Sequence, residues 1–386
     1  MEKNVRQSNF ELLRIISMIL IVMSHCDEIF GLADLYSTSL GIYKIITDWL
    51  HIGGQIGVGC FVLVSGYFMV EQNISTKKIL KLAGEVWFYT ISIWLIWMGW
   101  NIFSNNQLDI ILLFKRTVLA FFPILFSHYW FVTAYLILMM LSPFFNKLIF
   151  SLDEKSYRAF LSVMIIIFVL LGGGFPKIFC GMFEGRLIPV FIMYFIAGYL
   201  RRFVDSKKRN SSRHFFVALI FYFLLFVSFY FITFLGIAFD SGMIIGLRYF
   251  YRELNSPFVV IICVELFIGF WRLDIKYSKI INTLASCTFG VYLLHGNEIV
   301  LSYLPKLFPI YKEQNALLIF IYSLISASII YIVASLIDFV RKNSVEKIWM
   351  LFLDKNLDSI QNKITEKLRC VYAFLMKVLG IYYNKE

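Results

Sequence analysis

The stretch Asn9-Phe10-Glu11-Leu12-Leu13-Arg14-Ile15-Ile16-Ser17-Met18-Ile19-Leu20-Ile21-Val22-Met23-Ser24-His25 decides how the chain is read. From Leu12 it is apolar enough to lie in hydrocarbon, and a bilayer takes roughly 20 such residues in a helix. Arg14 interrupts its start and no small-residue cleavage site follows, so it reads as a retained first span rather than a removable signal. Counting it as 11–31, comparable stretches recur at 49–70, 80–103, 129–150, 157–175, 187–204, 215–235, 256–271, 280–300 and 316–340. The fifth is short and ends in Gly172-Gly173-Gly174. Of the 386 residues, 60% are hydrophobic and 16% charged, whereas a soluble domain carries about a quarter charged residues. The expected fold is an all-α polytopic membrane helix bundle of about ten transmembrane helices, with both termini cytoplasmic.

The cations test that count. With the amino terminus inside, the inner segments hold 26 of the 36 Lys and Arg, the outer segments nine, and Arg14 lies within the first span. Cytoplasmic loops carry this excess. Residues 109–126 are apolar but carry Lys115 and Arg116 at their middle, which makes a full crossing costly. Making them an eleventh span would also put the cationic 201–213 loop outside. They are expected to form a surface or re-entrant helix. The net charge of +11 is thus a matter of membrane orientation, and nucleic acid is not an expected partner.

Two domains are expected, a membrane domain over 1–340 and a cytoplasmic basic tail over 341–386. In the tail Ile360, Ile364, Leu368, Val371, Leu375 and Val378 recur at helical spacing with Lys363, Lys367 and Lys377 between them. That pattern fits an amphipathic helix on the anionic inner leaflet, or one held against the bundle. The six cysteines are scattered without a CxxC pair, and neither a disulfide framework nor a metal site is expected.

A polar group within a span is a functional candidate by default. Arg14 and His25 lie eleven residues apart, almost three turns, so they share one helix face about 16 Å apart along the axis. Arg14 at the inner edge has the fork that grips phosphate, or it is an anchor that snorkels to the interface. His25, in the outer half, is of the residue type that commonly serves as general base near neutral pH, or it is a packing residue. Ser65 and Tyr67 close the second span, where small residues commonly serve close helix packing. His128 and Trp130 open the fourth, where an aromatic belt is the usual explanation. Glu85 and Glu265, in the third and eighth spans, are proton partners or members of buried pairs. His295, near the outer end of the ninth span, faces a substrate cavity or the headgroup region.

With these residues in view, the chain resembles acyltransferase family 3, the membrane O-acyltransferases of bacterial surface glycans. Arg14 and His25 match that family's Arg-x10-His first helix. The likeness continues through Phe61-Val62-Leu63-Val64-Ser65-Gly66-Tyr67-Phe68, Tyr129-Trp130-Phe131-Val132 and Leu141-Ser142-Pro143-Phe144. It runs on through Tyr194-Phe195-Ile196-Ala197-Gly198-Tyr199 and Phe289-Gly290-Val291-Tyr292-Leu293-Leu294-His295. The resemblance implies a ten-helix enzyme of the bacterial cytoplasmic membrane with no bound cofactor. It would take an acyl group, usually acetyl, from cytoplasmic acyl-CoA as co-substrate and pass it to a sugar hydroxyl of a surface glycan or its precursor.

The resemblance also implies that His25 and Arg14 are essential, and that Lys78 and Lys81 stand where the family commonly has Arg-x-x-Arg. Lysine there binds phosphate as a point charge, without the planar fork. The pantetheine arm of the donor would climb from Arg14 toward His25, which acts as general base or as a transient acyl carrier. With only a short inner tail expected after the last helix, the acceptor would be acylated directly or through a separate extracytoplasmic transferase. The competing reading from another class is a transporter or flippase of a glycan or lipid-linked precursor, against which stands the lack of an internal repeat or paired broken helices. A glycan polymerase would call for a large outer loop, and the outer loops here are short.

Overall fold

The structure, a computed structural model, describes residues 6–30, 42–72, 74–104, 109–172, 186–204, 210–251, 253–308 and 315–378. Gly173 and Gly174, which end the fifth apolar stretch, and residues 205–209 of the cationic loop lie outside them. The architecture is all-α. In chain order the helices are α1 (Ser8–Ile29), α2 (Ile42–Met69), α3 (Thr76–Phe103), α4 (Ile110–Phe121), α5 (Trp130–Ser151) and α6 (Glu154–Met164), which passes into a π-helical segment, Ile165–Leu171. Then come α7 (Leu187–Phe203), α8 (Ser211–Ala238), α9 (Gly242–Tyr251), α10 (Pro257–Trp271), α11 (Lys279–Ser286), α12 (Thr288–His295), α13 (Glu298–Leu307), α14 (Ala316–Asn343) and α15 (Val345–Val378).

Six helices are long and apolar enough to cross a membrane among the described residues, and this is a multi-pass membrane protein. They are α1, α2, α3, α5, α8 and the helical run that begins at Leu317. The other four apolar stretches take shorter or broken forms. The fifth is α6 with its π segment, the sixth the 17-residue α7 and the eighth the 15-residue α10. The ninth is not one helix. It turns at Cys287 and again at Gly296-Asn297, giving α11, α12 and α13. Its apolar composition satisfies a span, but Gly after a helix and Asn before the next are stop and start signals.

Helix α1 lies at the centre, packed on α2 and flanked by α10, α11, α12, α13 and α14. The approach of α2 depends on glycine. A Cβ on Gly57 would run into the Ser17 carbonyl, and one on Gly54 into the Ser24 hydroxyl. Small residues let backbones meet in this way where lipid gives no hydrophobic drive to association. The outer ring is α8 and α14, whose Phe216, Leu219, Phe223, Phe231, Leu318 and Ile325 are exposed, as suits a lipid-facing surface.

The 109–126 segment forms α4. Twelve residues rise only about 18 Å, too little to cross. It lies against α3, where Thr90 Oγ1 donates to Ala120 O at 2.8 Å, Trp94 Nε1 to Thr117 Oγ1 at 3.2 Å and Trp87 Nε1 to Phe121 O at 3.1 Å. The Arg116 guanidinium stacks over Trp97 at 4.4 Å, and Lys115 pairs with Glu298 at 3.5 Å.

At the opposite end, α14 runs past residue 340 to Asn343, and Ser344 separates it from α15. Arg341 is not a tail residue free in solvent. It is 5% exposed and holds Glu85 at 2.8 Å, Asp338 at 2.7 Å and Glu346 at 2.9 Å, while Tyr89 donates to Asp338 at 2.9 Å. Thus Glu85 belongs to a buried pair. The start of α15 is fastened to α3 as well: Glu346 pairs with Lys81 at 2.6 Å, Asp354 with Lys77, and Trp349 Nε1 donates to Leu80 O at 3.3 Å. Trp349 is seated over Gly84, where any Cβ would strike the indole.

Removing one member of a buried ion pair strands the other and costs about 3 kcal/mol. Glu85→Ala is expected to lower the thermal unfolding midpoint of the detergent-solubilised chain by that equivalent, and Glu346→Ala, whose carboxylate is more open, by less. An unchanged midpoint for Glu85→Ala would mean that the Arg341 cluster does not hold α3 to α14.

Candidate functional site

Two constellations lie along α1. The first surrounds Arg14, whose Nη1 donates to Glu11 Oε1 at 3.1 Å, while its Nε is buried with no acceptor among the described residues. Arg14 lines a cavity of ≈ 460 Å³ together with Arg6, Ser65, Lys78, Tyr135 and Arg201. Four cations thus face one space, and the two carboxylates beside them, Glu11 and Glu71, are each engaged with an arginine. Lys78 Nζ donates to Gln72 Oε1 at 2.9 Å. Such a cavity, polar and positively charged, suits a phosphorylated ligand.

Lys81 does not join it. One helical turn beyond Lys78 it turns toward the tail and is taken by Glu346. In its place the cavity has Arg201, from the end of α7, which pairs with Glu71 and lies 4.6 Å above the Tyr67 ring. Tyr67 is therefore a platform for that arginine, and it packs on Phe10, Phe267 and Trp271. In the sequence Arg201 reads as one of many inner-loop cations. The signal that singles it out is its place two residues after Tyr194-Phe195-Ile196-Ala197-Gly198-Tyr199.

The second constellation is built on His25. Its Nδ1 faces His295 Nε2 at 3.1 Å, with ring centroids 5.1 Å apart. His295 is 1% exposed, so it belongs to the bundle interior and not to the headgroup region. Its Nδ1 is 2.6 Å from the Val291 carbonyl, which can only accept, so that nitrogen carries a proton. The hydrogen-bond network then assigns both tautomers. Neutral His295 accepts at Nε2, His25 donates from Nδ1, and the lone pair of neutral His25 is on Nε2, as a general base requires.

The Tyr129 hydroxyl donates to Leu293 O at 2.8 Å and accepts from Asn297 Nδ2 at 2.9 Å. Asn297 also lies 3.3 Å from His128 Nε2 and caps α13 through Ile299 N at 2.9 Å. His128 thus supports the loop that follows His295. Trp130 carries the Arg186 guanidinium at 4.8 Å, an outer stack apart from the histidine pair. Glu265 is apart as well, bound to His214 at 2.6 Å, with Arg272 donating to the other ring nitrogen at 2.7 Å.

A line of rings joins the two constellations. Tyr135, in the wall of the Arg14 cavity, stacks on Phe131 at 5.9 Å, Phe131 meets Tyr292 at 5.8 Å, and Tyr292 meets His295 at 6.1 Å. Among the described residues no three His, Cys, Asp or Glu side chains gather as a metal site would need.

The model of one protein family, family 3 of the acyltransferases, described as an acyltransferase domain, matches residues 7–336. No curated protein and no solved structure matches the chain.

The Arg14 cavity is expected to admit a small charged thiol reagent. In a background without the native cysteines, Ser65→Cys should react with a sulfonated methanethiosulfonate, and Met18→Cys, 2% exposed at the native residue, should not. Equal protection of both would mean that the cavity is closed to solutes.

Proposed function

The chain belongs to acyltransferase family 3, and from this we propose that it is a membrane O-acyltransferase that moves an acyl group, most simply acetyl, from cytoplasmic acyl-CoA to a hydroxyl of a cell-surface glycan or its precursor. The observation that carries the reading is the pairing, on α1, of a cationic cavity at Arg14 with a histidine dyad at His25. A thioester donor needs both, anion recognition at one end and a base at the other. The ten-span topology with both termini inside belongs to the same reading. It is supported by the excess of inner cations and by the shortness of α4, and the membrane is then the bacterial cytoplasmic one.

In this mechanism Arg14, Lys78 and Arg201 neutralise the phosphates of the donor. The pantetheine arm rises along Tyr135, Phe131 and Tyr292 toward the histidines. His25 Nε2 takes the proton of the acceptor hydroxyl as its oxygen attacks the thioester carbonyl, and returns that proton to the departing thiolate. His295 keeps His25 in the right tautomer and accepts a hydrogen bond from the imidazolium that forms, the role of the third member of a catalytic triad filled by a neutral group. The acylated hydroxyl belongs to the glycan itself or to a separate extracytoplasmic transferase that passes the group on.

Label from radiolabelled acetyl-CoA, followed in inside-out vesicles, tests the reading. Wild-type membranes are expected to form an alkali-labile product, and correctly inserted His25→Ala to form about 10²–10⁴-fold less, the range of a lost general base. His295→Ala should retain more activity than His25→Ala, since it acts through His25. Equal labelling in wild type and His25→Ala would remove His25 from the chemistry, and absence of label from any acyl-CoA would remove acyl transfer.

A further inference from the structure

Beside the Arg14 cavity is another that the mechanism above does not use. It lies between the start of α1, α11 and the end of α14, has a volume of ≈ 320 Å³, and is lined by Arg6, Lys279, Asn282, Lys342 and Tyr277 among others. Three of its described lining residues are cations and none is a carboxylate, although Lys342 reaches behind the wall to Asp338 at 3.2 Å and donates to the Ser286 carbonyl, which leaves Arg6 and Lys279 as the charge open to a ligand. Arg6 lines both cavities and is held only loosely, 3.7 Å from Glu11 and 3.4 Å from the Asn282 carbonyl.

Asn282 supplies an independent sign that a ligand belongs here. It is 7% exposed, and its Oδ1 accepts from Ser8 Oγ at 3.2 Å. Its Nδ2 is buried with no acceptor among the described residues. Buried polar groups are nearly always satisfied, and Asn282, a residue of the cavity wall, keeps one that the described residues leave unmatched. Tyr277, 63% exposed, adds an open aromatic face at the rim, where a planar base can stack.

We propose that this second cavity binds the 3′-phosphorylated adenosine end of the donor, so that one acyl-CoA occupies both cavities. The inference rests on the acyl-CoA reading and extends it. Coenzyme A carries its phosphates in two places on one ribose, a diphosphate leading to the pantetheine arm and a monoester at the 3′ oxygen. Two cationic cavities joined by Arg6 match that division. The diphosphate sits at Arg6 and Arg14, the 3′-phosphate at Lys279, and the adenine lies by Tyr277 and Asn282.

Calorimetry on the full-length chain in detergent, with coenzyme A and with 3′-dephospho-coenzyme A, tests this. Wild type is expected to bind coenzyme A about tenfold more tightly, equivalent to ~1.4 kcal/mol. Lys279→Ala should abolish most of that preference, while Tyr277→Ala weakens both ligands alike. Both native side chains are exposed, and unchanged unfolding midpoints would show that both variants fold. Equal binding of the two ligands by wild type, or an unaltered preference in Lys279→Ala, overturns the subsite and leaves the acyl-CoA reading intact. Binding of neither ligand by wild type overturns the acyl-CoA reading, and this inference with it. If native mass spectrometry instead shows that Lys279→Ala loses bound phosphatidylglycerol while both coenzyme A affinities stay at wild-type values, the cavity is a lipid site and the proposal fails.

Discussion

Hydrocarbon offers no hydrogen-bond partner, so a polar side chain within a bundle has to find one on a neighbouring helix. The contact of His25 with His295 meets this demand, and much of the architecture serves it. It joins α1 to α12, helices 270 residues apart in sequence. For that contact to form, α1 must be enclosed, and it is enclosed because Gly54 and Gly57 let α2 approach to van der Waals distance of its backbone and its Ser24 hydroxyl. On the proposed reading the same enclosure would partly shield a thioester at this half-buried contact from water and strengthen the electrostatic interactions there.

Charge is divided along α1 with equal economy. Arg14 lies where Lys78, Arg201 and Arg6 can share a cavity, and the two carboxylates beside them, Glu11 and Glu71, leave positive charge in excess. The tail bears on this cavity only indirectly. By binding Lys77 and Lys81 to Asp354 and Glu346, α15 fixes the first turns of α3, and of the three lysines there only Lys78 lines the cavity. Over its first turns, ahead of the 360–378 stretch whose spacing suggested either a membrane-surface helix or one held against the bundle, the tail is thus fastened to α3.

How much of this the sequence disclosed depends on how local the signal was. The helical, membrane-embedded class followed from composition, and the shared face of Arg14 and His25 from helix periodicity alone. The exclusion of 109–126 as a full span followed from two cations, and the twelve-residue α4 is too short to cross, as either a surface or a re-entrant helix would be. What could not be read were pairings between distant segments. Lys81 and Lys78 look equivalent until Glu346 claims one of them. Glu265 looks like a proton carrier until His214 and Arg272 enclose it. Arg201 is one loop cation among several until α7 brings it over Tyr67. In each case the partner in direct contact, Glu346, His214 or Tyr67, is more than 40 residues away, where periodicity has no reach.

The broken ninth segment shows how a feature that the apolar pattern hides can create the site. In a continuous helix the Leu293 carbonyl would accept from the amide of residue 297. Because α12 ends at His295, with Gly296 closing it through a hydrogen bond to Tyr292 O at 3.0 Å, that carbonyl is one of the acceptors a helix terminus leaves over. Tyr129 fills it, and Asn297, released from the helix, both binds Tyr129 and caps α13. A Cβ on Gly296 would lie 2.9 Å from the Tyr292 carbonyl, so the turn admits little but glycine. The break thus fastens the end of α12 to the start of α5, and His295 is held at the one depth where its Nε2 meets His25. An unbroken span would carry the same histidine on the same helical face and leave nothing to fix it there.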